Sequence, residues 1–356
     1  MKLQTDLCDK LQITHPIIQA GMAGGPTTVD LVVSVSEAGG LGSFGASYMT
    51  PDAIRQAIRE TKERTAKPFA VNLFCTDMKD SFEGADESQQ VLDELRNELG
   101  IERSGKRVET KDLFNQQFQV LIEEKVPVIS TAFGVLPPDK TEVAKQHNMK
   151  ITAMVTTVDE AKLAEKSGAD IIIAQGSDAG GHRGTFHLDT HQNGANIGTF
   201  SLVPQVVDAV SLPVVAAGGI MDGRGLVAAL ALGASGIQMG TAFLPAIESG
   251  AHRVFKEALL KSTEESTVVT KVFSGRPARG IKNRFVQYFD ERGVSPAAFP
   301  TQNSMTSDIR KEAAKQNNPE FMSLWAGQAT RLLRKDASAG RLIQSIIEEA
   351  EQLLRY

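Results

Sequence analysis

His182 sits in the run Gly180-Gly181-His182-Arg183-Gly184, whose small members leave room for a ligand beside an imidazole. With an ordinary pKa of about 6.5, this ring can move a proton near neutral pH, and it is the candidate acid or base. Three side-chain amides, Asn72, Gln175 and Gln238, fall where apolar runs end. An amide donates and accepts together, which suits a ligand edge of alternating N–H and C=O groups, such as that of a flavin. Gly218-Gly219 and Gly240, with the Thr241 hydroxyl alongside, follow two further apolar runs. Glycine there lets backbone N–H groups approach a phosphate that a Cβ would hold away. Each feature also has a plainer use, since paired glycines make tight turns and a single amide often satisfies only loop backbone.

His187 and His191 lie close to His182 in the chain. The stretch includes no cysteine and, although His187 and His191 are four apart, it does not read as a helix, so no metal is expected. Cys75 ends an apolar run with no flanking group that would lower its pKa, and it reads as core or loop.

The elements that must carry these residues alternate regularly. Short apolar runs begin near Pro16, Leu41, Phe69, Val126, Ile151, Asp170, Pro213 and Gly236, with helical stretches between them. Ile171-Ile172-Ile173-Ala174 is continuously apolar, as expected of a parallel strand buried on both faces. Helix starts are marked by Thr27 or Thr28 and by Thr50 followed by Pro51. The pattern predicts a TIM (β/α)8 barrel with a helical insertion and a smaller α/β lid domain. Residues 1–76 would form the first part of the barrel and 119–246 the second, which carries the cofactor site. Residues 77–118 form the insertion, charged and with little periodic core, residues 247–308 the lid, and residues 309–356 C-terminal helices packing on the barrel wall. The strand ends would then hold a polar ring of Gln19, Asn72, Gln175, His182, Gly219 and Gln238, and a mobile loop would present His182.

Composition narrows the partners. The 356 residues carry a formal charge of −5 with no basic cluster, so nucleic acid is not an expected partner. No run reaches membrane-spanning length, and the opening MKLQTDLCDKLQ lacks the apolar core of a signal peptide. Two cysteines argue against a disulfide framework and fit a cytoplasmic protein. Oligomeric state stays open, a homo-oligomer included.

The runs QAGMAGG (Gln19 to Gly25), AQGSDAGGHRG (Ala174 to Gly184), AAGGI (Ala216 to Ile220) and QMGTAF (Gln238 to Phe243), with SGRPARGIKNRF from Ser274, resemble the class I nitronate monooxygenases. These were once called 2-nitropropane dioxygenases. The resemblance covers most of the chain. It implies that Asn72, Gln175, Gly180, Gly219, Gln238, Met239, Gly240 and Thr241 hold FMN, and that Ala20, Gly21 and Met22 lie along its isoalloxazine. It also implies that His182 is the active-site histidine. The activity implied is oxidation of an alkyl nitronate, propionate 3-nitronate in particular, by dioxygen to a carbonyl compound and nitrite, with detoxification as a family role. Two other readings share the residues. One is an FMN-dependent NAD(P)H reductase of the enoyl-acyl-carrier-protein or quinone type, and the other a phosphate-binding barrel without redox chemistry.

Overall fold

Several apolar runs end in glycine or a small polar residue, and several of the following helices start at a side-chain cap. Thr28 accepts from Leu31 N, Thr50 from Ala53 N with Pro51 in the first turn, and Thr157 from Glu160 N. The computed structural model describes residues 2–102, 108–335 and 337–355. Met1, residues 103–107 of the expected insertion, Asp336 and Tyr356 lie outside the described residues.

The strands in chain order are β1 (Ile17–Gln19), β2 (Gly42–Gly45), β3 (Phe69–Phe74), β4 (Val128–Ala132), β5 (Lys150–Val155), β6 (Ile171–Gln175), β7 (Gly181–His182), β8 (Val214–Ala217), β9 (Gly236–Met239), β10 (Thr267–Thr270) and β11 (Ala278–Ile281). Eight of them pair in parallel in the order β1-β9-β8-β6-β5-β4-β3-β2. A parallel bridge between Ile18 and Leu41 brings the two ends of that order together, which makes the sheet a TIM barrel. Ile171 and Ile173 share one core cluster with Ile18, Leu41 and Val215, whereas Ile172 and Ala174 belong to another with the surrounding helices. Strand β6 is therefore buried on both faces.

Three features depart from the sequence reading. A short helix, Asp6–Leu11, contributes Leu7, Cys8 and Leu11 to the cluster that contains Ile18 and Val215. With so few apolar residues it carries too short a pattern to be seen. The insertion's helix Ala85–Leu99 does have a core face, burying Val91, Leu92, Leu95 and Leu99. Those four recur at helical spacing among charged neighbours, and their cluster also takes in Phe255, Phe273, Phe285, Ile309, Phe321 and Ala326. One apolar core thus runs through the spans read separately as insertion, lid and tail. Of the tail, the helix Ala339–Leu353 packs on the barrel's outer helices Val29–Glu37 and Gly223–Ala231, while the helix Ser307–Lys315 joins the other core.

Ile346 is fully buried in the cluster beneath Ala339–Leu353. Ile346→Ala is expected to destabilise the chain by about 2–5 kcal/mol, read as a lowered urea midpoint. An unchanged midpoint would show that this helix does not share the barrel's cooperative unfolding.

Candidate active site

The carboxyl ends of the parallel strands surround a cavity of about 770 Å³. Ala20, Gly21, Met22, Asn72, Gln175, Gly180, His182, Gly219, Gln238, Met239, Gly240 and Thr241 all line it. Gln19 does not. It is fully buried, and its amide is engaged with the backbone of Ser43, donating at 3.2 Å and accepting at 3.0 Å.

The loop after β6 is held, not loose. Strand β7 pairs antiparallel with β11, placing His182 opposite Ala278 and Gly181 opposite Arg279. Gln175 donates to His182 O at 3.0 Å and accepts from Gly184 N at 2.8 Å. Its amide therefore positions the histidine loop and keeps one N–H for the cavity. Arg183 is 0 % exposed, and its guanidinium donates to Gly176 O, Gln175 O and Ala195 O. Burial holds its pKa down at about 10. The approach is so close that a Cβ on Gly180 would lie 2.5 Å from the backbone of Ala326 and Gly327. Sequence reasoning misses this pinning because the partner strand lies about a hundred residues downstream.

His182 Nε2 is 2.9 Å from Ser274 Oγ, which is also within donating distance of Arg276 O at 3.1 Å. The ring lies between Phe133 (centroids 5.7 Å apart) and Trp325 (5.4 Å), and one edge faces the cavity. Its pKa is lowered to about 3, first by burial and then by the charges of Arg276 and Arg310. Arg276 stacks on Phe133 with its guanidinium carbon 3.9 Å from the ring centroid. Tyr48, Phe74, Ser130 and Arg310 also line the cavity. None of these residues stands out in the sequence, for Phe74, Ser130 and Arg310 sit in ordinary strand and helix patterns and Tyr48 in a turn.

The residues present fit a flavin phosphate. Among the described residues, the backbone N–H groups of Gly180, Gly219, Gly240 and Thr241 donate no hydrogen bond within the chain. They line the cavity and are free to meet an acceptor placed there. A Cβ on Gly240 would project toward Ala20 and Met22, into the cavity they share. Gln238 is 7 % exposed and its amide has no hydrogen-bond partner among the described residues. Asn72 donates to Ser130 Oγ at 3.0 Å, which leaves its carbonyl available. Elsewhere, Cys75 is half-buried and burial pushes its thiol up to about 12, so it is no nucleophile. No group of three or more metal-ligating side chains occurs among the described residues.

The half-buried, neutral imidazole has a consequence for stability. Between pH 6.5 and about 3 the unfolded ring takes up a proton that the folded ring refuses, so stability falls as pH falls through that window. His182→Gln removes this cost. In urea unfolding without ligand, the variant is expected to lose less stability than wild type on going from pH 6.5 to about 4.5. Parallel losses would contradict a neutral, enclosed imidazole.

A family model described as nitronate monooxygenase matches residues 4–349. A probable nitronate monooxygenase of Staphylococcus saprophyticus is 44% identical over 355 residues, covering 99% of each chain. One from Staphylococcus aureus is 41% identical over 351 residues, covering 98% of each. Among solved structures, a nitroalkane oxidase from Streptomyces ansochromogenes superposes with a TM-score of 0.91 at 38% identity, covering 98% of this chain and 99% of that one. FabK from Thermotoga maritima superposes with a TM-score of 0.79 at 32% identity, covering 99% and 98%. The chain belongs to the nitronate monooxygenase family and is an oxidoreductase.

Proposed function

We propose that this chain, loaded with FMN, oxidises alkyl nitronates with dioxygen to a carbonyl compound and nitrite, propionate 3-nitronate being its physiological substrate. The observation that carries the reading is the neutral His182 imidazole facing a cavity with unpaired backbone N–H groups and an unpartnered Gln238 amide. Gly180, Gly219, Gly240 and Thr241 would hold the phosphate. Gln238, Asn72 and the remaining Gln175 N–H would meet the ring's polar edge, and Ala20, Gly21, Met22 and Met239 would line its face. The chemistry supplied by bound FMN is one-electron acceptance, which opens a path from a closed-shell nitronate to dioxygen. Nitrite would keep both oxygens of the original nitrogen, and dioxygen would supply the carbonyl oxygen, two nitronates being consumed per dioxygen so that both of its atoms end in carbonyl groups.

The chain's own contribution centres on His182. Ser274 fixes the imidazole by engaging Nε2, leaving Nδ1 as its other nitrogen. A ring with so depressed a pKa is unprotonated at every working pH, yet it has little driving force to take a proton from carbon. A preformed nitronate needs no such transfer, so it is the favoured substrate. With a neutral nitroalkane, an anion growing beside the ring would offset the repulsion from Arg276 and Arg310 and allow His182 to accept the α-proton.

Aerobic nitrite release from propionate 3-nitronate, without NADH or NADPH, tests the activity. His182→Asn is expected to lower kcat/KM on neutral nitroalkane by about 10²–10⁴-fold and on preformed nitronate far less. Equal losses on the two would remove the base role. The FMN-dependent NAD(P)H reductase that shares these residues is the specific competitor. Rapid anaerobic bleaching of the flavoprotein by NADH or NADPH would favour it, and no bleaching would favour the monooxygenase.

A further inference from the structure

Arg310 lies on the helix Ser307–Lys315, which contributes to the wall of the cavity, and its guanidinium is fixed before any ligand arrives. Nη2 donates to Asn303 O at 2.6 Å and to Asn303 Oδ1 at 3.0 Å, and Nε donates to Thr306 O at 3.4 Å. Nη1 has no hydrogen-bond partner among the described residues, and Arg310 makes no ion pair among them. The carboxylate nearest in sequence, Asp308, is engaged by Arg96 at 2.8 and 3.2 Å. The carboxylate lining the cavity, Asp178, is held by Thr199 N and Oγ1 at 2.8 and 2.7 Å. Lys311 lines the same cavity. A held, partly buried guanidinium with an uncommitted N–H pair and no ion pair among the described residues suits an anion, and its planar fork matches a carboxylate. It is separate from His182, with which it makes no hydrogen bond, but near enough for its charge to depress that ring's pKa.

We propose that Arg310 binds a carboxylate carried by the substrate, so that the chain selects nitronates of short carboxylic acids over plain alkyl nitronates. This rests on the nitronate-oxidising reading above and adds the residue that sets the preference. The substrate then spans the cavity, its nitronate end beside His182 and its carboxylate on Nη1. Both ends are anionic, and both walls supply donors or positive charge.

The test compares propionate 3-nitronate with butyl 1-nitronate in nitrite assays on the holoenzyme, its Arg310→Gln variant and its Arg310→Lys variant. Wild type is expected to show the lower KM for propionate 3-nitronate. Arg310→Gln should raise that KM about 10- to 100-fold while changing kcat/KM for butyl 1-nitronate by less than about 3-fold. Arg310→Lys, which keeps the charge but loses the fork, should fall between. As a readout apart from turnover, succinate should raise the thermal midpoint of wild type and not that of Arg310→Gln. Equal losses on both substrates would overturn the proposal, because Arg310 would then serve the nitronate group or the fold. Unchanged kinetics in Arg310→Gln would also overturn it. If that variant does not fold, a wild type without preference between the substrates, or without a succinate effect, overturns it as well. No nitrite from either substrate in wild type would instead sink the underlying nitronate reading, and this proposal with it.

Discussion

A closed parallel barrel satisfies its backbone along the ladder and leaves the problem of unpaired groups to its rim. Here that problem is concentrated at the carboxyl ends of the strands that precede Gly180, Gly219 and Gly240, where N–H groups donate to nothing among the described residues. Such amides face the cavity, where an anion or water completes them. Glycine keeps the space open for that partner. Gln238, buried and likewise unpartnered, adds a side-chain donor and acceptor to the same floor.

Above this floor, His182 is held by interactions from distant parts of the chain. The short antiparallel pairing of β7 with β11 ties the loop to the segment after residue 267, and Ser274 from that same segment meets the imidazole. From below, Gln175 and Arg183 fasten the loop to the end of β6. The imidazole is thus fixed between the barrel and the second apolar core, which supplies Phe273, Trp325 and Ala326 to its surroundings. Burial and two neighbouring guanidinium groups keep the ring neutral.

The barrel was legible in the sequence because its signals are local: apolar runs, caps and glycine stops recur within a few residues of one another. The residues expected at the strand ends were found around one cavity for the same reason, since a strand's end fixes where its last side chain goes. Gln19 escaped the pattern because its strand continues into a buried contact with Ser43 that alternation alone cannot distinguish from a rim position. What could not be read was anything depending on long-range assembly. The core face of Ala85–Leu99 was masked by charged neighbours, and Arg310 looked like one more polar residue on an amphipathic helix. Its role emerges only once Asn303 and Thr306 are seen to aim it and Asp308 is seen to be occupied by Arg96.

The central claim is that the barrel's rim binds a flavin through its phosphate, and fluorescence titration of flavin-free protein tests it most directly. FMN should be quenched to saturation at one equivalent per chain, and riboflavin, which lacks the phosphate, should bind at least about 100-fold more weakly. Equal affinity for the two, or no binding of either, would contradict the account.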